Sequence, residues 1–247
     1  MTMRRLAEGG RRFGLSLSPA QIETFQRYAE QLLEWNQRFN LTAVTDPEQV
    51  ETRHFLDSLS CLQALTAISA EPLASWLARS LQALDIGTGA GFPGLPLKIV
   101  WPNLKLTLLE SRQKKVRFLE HIVADLGLTT VTAVRDRAET LAHHPEHREA
   151  YDLVMGRAVA ELPVLLEYAL PFCRRGGMVL AQKGEAATAE AIASDRALAI
   201  LGGELRRIVP VEIPGLAETR HIMVVEKTAQ TPDRYPRRPG MPKKRPL

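Results

Sequence analysis

Leu84-Asp85-Ile86-Gly87-Thr88-Gly89-Ala90-Gly91-Phe92-Pro93-Gly94 is the stretch from which the fold is read. A short, mostly apolar run from Leu81 closes on Asp85 and Ile86, and glycines follow at alternate positions. An amphipathic segment opens at Pro93. The order predicts a strand, a tight turn and a helix. Glycine permits φ > 0 and lets a ligand approach the backbone closely. The dinucleotide fingerprint G-x-G-x-x-G would need glycine at position 92, where Phe stands. The pattern present is D-x-G-x-G-x-G.

Downstream the chain alternates. Strand patterns at 104–109, 130–134, 151–155 and 178–182 are separated by helical patterns at 114–126, 139–143, 162–170 and 185–201. A closing strand pair is expected at 204–211 and 221–227. Such alternation predicts an α/β fold, Rossmann-like and doubly wound, with a mostly parallel seven-stranded sheet. Ligands then sit beyond the carboxyl ends of the strands, at the topological switch point. Upstream, Ser18-Pro19-Ala20-Gln21 is a helix start, with Ser as N-cap, Pro at N1 and Gln at N3. Ile22, Phe25, Ala29, Leu32, Asn36 and Phe39 continue it at helical spacing. Asp46-Pro47-Glu48-Gln49 starts a second helix running through Leu62, and 73–78 adds a short turn. The organisation expected is a basic arm (1–14), a helical N-terminal cap (15–76), the α/β domain (77–230) and a basic tail (231–247).

The chain has 247 residues, 45% hydrophobic and 24% charged, an ordinary globular balance. No apolar run is long enough to span a membrane, and the Arg-rich start lacks the apolar core of a signal peptide. Cys61 and Cys173 are far apart and form no C-x-x-C pair, which reads as a reduced cytoplasmic protein. The net charge of +4 hides an asymmetry: residues 1–12 carry +3, residues 231–247 carry +5, and the body between is acidic. Basic ends on an acidic body suggest a polyanion partner, with Arg237, Arg238, Lys243, Lys244 and Arg245 contacting RNA phosphates. The plain alternative is a solvated tail. His143-His144-Pro145-Glu146-His147 reads as a loop, because Pro145 breaks helical ligand spacing, so no metal site is expected.

The glycine pattern resembles that of S-adenosylmethionine methyltransferases. That cofactor needs partners for an amino acid, a ribose diol and an adenine. Asp85, Gly87, Gly89 and Gly91 would lie beside its methionine part. Glu110 closes the second strand and is placed to accept from both ribose hydroxyls. Asp136-Arg137-Ala138-Glu139 follows the third strand, where the adenine edge passes. Gly156-Arg157-Ala158 follows the fourth strand and faces the transferable methyl. Methyl transfer to pyrimidine C5 needs a cysteine nucleophile, and neither cysteine lies at this strand end. No Asn/Asp-Pro-Pro-aromatic motif for an exocyclic amine is present. An Arg there suits an acceptor with an in-plane lone pair and no proton to remove. Purine N7 is one such acceptor, and the reaction is then an in-line displacement driven by positioning. The plain alternative for Arg157 is a structural salt bridge.

Over nearly its whole length the chain resembles the bacterial small-subunit ribosomal RNA guanine-N7 methyltransferases, the glucose-inhibited division protein B family. Asn40-Leu41-Thr42-Ala43-Val44 with His54-Phe55-Leu56-Asp57-Ser58-Leu59 is similar to its N-terminal signature. The 85–96 loop, Glu110-Ser111-Arg112-Gln113-Lys114-Lys115, Arg137-Ala138-Glu139, Gly156-Arg157-Ala158 and the Arg237–Lys243 tail also resemble family motifs. The resemblance implies S-adenosylmethionine-dependent N7 methylation of a guanosine in the decoding-region loop of 16S rRNA. The rRNA would be presented by the small subunit or an assembly intermediate. It also implies that Gly87, Phe92, Glu110, Ser111, Arg112, Ala138, Glu139 and Arg157 line the cofactor site. The protein is expected to act as a monomer away from membranes. Two rivals are a small-molecule methyltransferase, which leaves the basic ends without use, and a non-catalytic RNA-binding protein, which leaves Glu110 and the glycine loop without use. A nicotinamide oxidoreductase is opposed by Phe92.

Overall fold

Apolar strand patterns interrupted by helices assemble here into one seven-stranded sheet. The computed structural model describes residues 2–69 and 71–247; Met1 of the basic arm and Ala70 of the cap lie outside them. The strands are β1 (Gln82–Ile86), β2 (Lys105–Glu110), β3 (Val131–Arg135), β4 (Tyr151–Arg157), β5 (Cys173–Lys183), β6 (Gly203–Val211) and β7 (Arg220–Lys227). Their order is β3-β2-β1-β4-β5-β7-β6, parallel except for the closing antiparallel β7 and β6. The direction of winding reverses between β1 and β4. Crevices therefore open beyond the carboxyl ends of these strands, beside Gly87 and Arg157.

The helices before the sheet are α1 (Arg4–Arg12), α2 (Pro19–Phe39), α3 (Pro47–Val50), α4 (Asp57–Leu59), α5 (Cys61–Ile68) and α6 (Leu73–Ala78). The expected start of α2 is present: Ser18 and Gln21 form a reciprocal capping box with Pro at the first helical position. The expected second helix is not continuous. A π-helical turn, Glu51–Leu56, joins α3 to α4, and Ser60 separates α4 from α5. The side chains of Thr52, Ser58 and Ser60 bond back to carbonyls three or four residues earlier. Such back-bonding loosens regular helix geometry, and the wider turn points His54 and Asp57 toward the sheet.

Residues 2–14 of the expected arm pack against the cap. Leu6 is buried, its N–H donates to Glu51 Oε2 at 2.9 Å, and Arg4 and Arg5 pair with Glu8 and Glu48. One apolar cluster runs from Leu6, Phe25 and Tyr28 through Leu95 to Leu106 and Val224, so cap and sheet share a core. The connecting helices α7 (Gly94–Val100), α8 (Gln113–Asp125), α9 (Ala138–Leu141), α10 (Leu162–Ala169), α11 (Ala187–Ile192) and α12 (Asp195–Leu201) complete the layers. The single Ala-rich helix expected at 185–201 is two, broken at Ala193 and Ser194, where the Ser194 hydroxyl donates back to the Glu190 carbonyl.

The tail is folded too. Thr231 and Tyr235 are buried, and a last turn, α13 (Met241–Lys244), lies near α10. Arg237 pairs with the fully buried Glu167 at 2.6 Å. This gives Arg237 a structural use that the sequence reading, which set it against RNA phosphate, had not assigned. Among the described residues no helix is long and apolar enough to cross a membrane.

Candidate cofactor and acceptor site

The loop after β1 is shaped by its glycines. Gly87, Gly89 and Gly91 have φ of 63°, 65° and 101°, conformations open to glycine at little cost. Asp85 anchors the loop from below. Its Oδ2 accepts from Thr88 Oγ1 at 2.6 Å and from the Gly94 N–H at 2.8 Å, while Oδ1 is enclosed without a partner. Burial raises its pKa to about 7 against the opposing pull of those two donors. Asp85 therefore positions the glycine loop through Oδ2.

Phe92 is likewise beneath the loop. Its ring stacks on His54 at 4.4 Å and on Tyr28 at 5.5 Å. It borders neither of the two cavities that open here. It supports the loop from that side.

The first cavity lies beyond β1, β2 and β3. Gly87, Glu110, Ser111, Asp136, Ala138 and Glu139 line it, with Tyr168 on a further wall. Glu110 is nearly buried, and one oxygen accepts from the Arg112 N–H at 2.8 Å. Arg112 thus acts through its backbone, and its side chain is exposed. A carboxylate with its second oxygen uncommitted, beside a glycine-edged floor and apolar walls, fits a nucleoside diol and a flat base. The tail closes this cavity: the Gly240 N–H donates to Glu139 Oε1 at 3.0 Å, and Lys243 stands at the rim.

The second cleft, about 570 Å³, lies beyond β4 and β5. Arg157, Gln182 and Lys183 enter it from the strands, and Arg53, His54 and Asp57 from the π-helical turn and α4. Arg157 Nη1 donates to Asp57 Oδ2 at 2.6 Å and to the Arg53 carbonyl at 3.0 Å. Nη2 reaches His54 Nδ1 at 3.3 Å, and the guanidinium lies 5.1 Å from the Phe92 ring centre. Burial, then the Arg157 charge, pull the His54 pKa down to about 3, so its imidazole is neutral. The salt-bridge alternative for Arg157 is therefore real, yet its partners line the same cleft.

Val159 borders both cavities. A Cβ on Gly87 would stand 3.1 Å from Val159 Cγ2. Ala158, between Arg157 and Val159, holds φ at 54°, a left-handed turn uncommon for a residue with a side chain. The turn presents Arg157 to one cavity and Val159 to both. Neither cysteine borders either cavity; burial pushes the Cys173 thiol up to about 12 and the Cys61 thiol higher still. Among the described residues no group of three His, Cys, Asp or Glu is placed to hold a metal.

The structure thus gathers Gly87, Glu110, Ser111, Ala138 and Glu139 on one cavity and sets Arg157 in the next. Reading the sequence assigned no role to Arg53, His54, Asp57, Gln182 or Arg220. One signal was available: Thr52, His54, Asp57, Ser58 and Ser60 put buried polar side chains on a helix that packs inward. Buried polar groups are seldom free of a role.

The sequence profile of the rRNA small subunit methyltransferase G family matches residues 21–223. A relative in Roseiflexus castenholzii, named ribosomal RNA small subunit methyltransferase G, is 52% identical over 95% of both chains. One of the same name in Chloroflexus aggregans is 46% identical over 100% of this chain and 98% of its own. Among solved structures, a SAM-dependent methyltransferase from Aquifex aeolicus superposes with a TM-score of 0.54 at 16% identity, over 76% of this chain and 97% of its own. That likeness carries the fold alone. The chain belongs to the rRNA small subunit methyltransferase G family.

Proposed function

We propose that this protein transfers a methyl group from S-adenosylmethionine to N7 of a guanosine in the decoding-region loop of 16S rRNA. Family membership makes it an S-adenosylmethionine-dependent rRNA methyltransferase; the nucleotide, the atom and the residue roles are our reading. The observation that carries the reading is the pair of cavities meeting at Val159. One has the partners of a nucleoside cofactor. The other, about 570 Å³, sets the hydrogen-bonding side chains of Arg53, Asp57, Arg157, Gln182 and Arg220 among apolar ones, as suits a flipped-out nucleotide.

In the cofactor cavity, Glu110 accepts from the ribose hydroxyls, and the Asp136–Glu139 segment meets the adenine edge. Gly87 and Ser111 border the remainder. When bound, the cofactor supplies a sulfonium methyl to the N7 lone pair, the N–C bond forming as the C–S bond breaks with no proton exchanged. The protein's part is positioning and exclusion of water. Arg157, fixed by Asp57 and the Arg53 carbonyl, holds the acceptor nucleotide against the opening. A cysteine nucleophile, as pyrimidine C5 would need, has no counterpart among the lining residues. Arg238, Lys243, Lys244 and Arg245 on the exposed side of the tail grip rRNA phosphates.

The test is to map methylated nucleotides in 16S rRNA from cells with and without this protein. A single 7-methylguanosine in the decoding-region loop, lost with the protein, supports the reading. An unchanged map overturns it.

A further inference from the structure

Arg157 and Gln182 are register partners at the carboxyl ends of the parallel strands β4 and β5, so both project to the same face. There they meet the start of α4. Gln182 Nε2 donates to the Asp57 carbonyl at 2.6 Å and lies 3.4 Å from Ser60 Oγ. These bonds fix the amide the other way up from a flip, so Oε1 is the oxygen left over. Gln182 Oε1 and Asp57 Oδ1 are both enclosed and both lack a hydrogen-bond donor. Gln182 and Asp57 are 6% and 4% exposed, and both border the 570 Å³ cleft. Arg220 Nε stands 3.3 Å from Asp57 Oδ1 as an ion pair without a hydrogen bond. Its side chain is 27% exposed and borders the same cleft.

Two buried acceptors without donors, on residues that line one cleft, are unfavourable as they stand. They become favourable when a ligand brings two adjacent N–H groups. We propose that Asp57 and Gln182 read the Watson–Crick edge of the target guanine, an inference that rests on the N7 reading above. Guanine alone among the RNA bases offers two neighbouring donors, N1–H and the N2 amine. Adenine and cytosine set an amine beside an acceptor, and uracil sets one N–H between two carbonyls; each turns an acceptor toward this pair. Asp57 Oδ1, bearing charge, takes the more acidic N1–H, and Gln182 Oε1 takes the amine. Arg220 swings out toward the nucleotide phosphate as the base enters. N7 is on the opposite edge of the purine from N1 and N2, so gripping this edge leaves N7 free for the opening at Val159. Arg157 beside the pair holds the Asp57 carboxylate in place through its other oxygen.

The experiment uses small subunits reconstituted with rRNA carrying guanosine, inosine or 7-deazaguanosine at the mapped nucleotide. Inosine keeps N1–H and N7 but lacks the amine. The wild-type enzyme should lose about tenfold or more in kcat/KM on inosine, the scale of one lost base-edge contact. Gln182→Met should lose a similar factor on guanosine and show a guanosine-to-inosine preference near one. The guanosine-to-inosine ratio is taken within one protein, so the stability lost with the Gln182 Nε2 bond to the Asp57 carbonyl does not enter it, and affinity for S-adenosylmethionine should stay at the wild-type value. Equal wild-type rates on guanosine and inosine overturn the proposal, since the two oxygens would then serve only water. A retained preference in Gln182→Met overturns it as well. Methylation of 7-deazaguanosine at the wild-type rate instead overturns the N7 reading, so the two failures are distinguishable.

Discussion

Arg157, the last residue of β4, donates from Nη1 to Asp57 Oδ2 at 2.6 Å across the boundary between sheet and cap. The two side chains are 16% and 6% exposed. Removing one partner of a buried pair leaves the other charge uncompensated and typically costs about 3–5 kcal/mol. Asp57→Ala should therefore lower the unfolding free energy by about 3 kcal/mol. Methyl transfer should fall further than stability explains, by about hundredfold at saturating substrates, because Arg157 loses its orientation. Asp57→Asn keeps an acceptor oxygen and should recover part of both. Urea denaturation and a labelled-methyl assay check this; full activity in Asp57→Ala would leave the pair with no part in positioning.

Glu110 tests the cofactor cavity. One of its oxygens holds the Arg112 N–H and the other is available to a ribose diol. A hydrogen bond to a charged group is worth about 1.5–3 kcal/mol, so Glu110→Ala should weaken S-adenosylmethionine binding at least about tenfold. Glu110→Gln should lie between the two. Titration calorimetry reads the affinities, and an unchanged value for Glu110→Ala would take the residue out of the site.

The sheet was legible because its signals are local. The D-x-G-x-G-x-G turn, the acid at 110 and the alternation after it need only neighbouring residues to be read. Glu110, Gly87 and Glu139 were reachable for the same reason, since each follows a strand. Asp85 lies within β1 and Phe92 in the loop after it, and which way a loop residue faces depends on what packs beneath it. Here that is Tyr28 and His54, both supplied by the cap. The acceptor cleft was hidden for a related reason. Asp57 meets Arg157, and Gln182 meets Asp57, only after helix and sheet dock. The π-helical turn adds a residue to a periodic pattern, and the hydrophobic spacing around it does not mark the change.

Gly91 separates backbone strain from packing. It has φ of 101°, and a Cβ there would stand 2.4 Å from Leu95 Cδ1 and 2.5 Å from Tyr28 Oη. Gly127 has φ of 61° with nothing within 4 Å. Gly127→Ala should cost only the left-handed penalty, about 1–2 kcal/mol. Gly91→Ala adds overpacking, which by itself typically costs about 1–3 kcal/mol. Thermal denaturation should place Gly91→Ala clearly below Gly127→Ala, and Gly91→Ala should also displace the cofactor loop and weaken S-adenosylmethionine binding. Equal stabilities would mean that Leu95 and Tyr28 give way freely.

Asp85 makes stability depend on pH. Burial raises its pKa from 3.8 to about 7. The unfolded chain then loses this proton near the ordinary value, while the folded protein keeps it until about pH 7. Between those limits the folded state binds more protons, so this group's contribution is whole below about pH 4 and falls as pH rises to about 7. Asp85→Asn cannot ionise, and its carbonyl can still accept from Thr88 and Gly94. His54 works the other way, its lowered pKa removing stability as pH falls, so the comparison must be between the two proteins. The urea midpoint of Asp85→Asn should gain on wild type steadily from pH 4.5 to 7.5, about the window of the shift. Parallel curves would mean that Asp85 titrates normally.

The tail commits one of its charges to the fold and leaves others exposed. Arg237 is committed to Glu167, which is fully buried, through a two-pronged contact that also takes the Arg237 backbone N–H. Arg238, Lys243, Lys244 and Arg245 are exposed. Arg237→Ala strands a buried carboxylate and should destabilise the fold by about 3 kcal/mol. It should also weaken S-adenosylmethionine binding, because the Gly240 contact to Glu139 is anchored by the same segment. Arg238→Ala should leave the unfolding midpoint and cofactor affinity alone and weaken rRNA binding. With four groups on phosphate, log K against log salt should have a slope of about −3 to −4, and Arg238→Ala should make it shallower by about one. Binding isotherms at several salt concentrations read both slopes. A slope that Arg238→Ala does not change would remove that residue from the interface, and a salt-independent affinity would remove the whole tail.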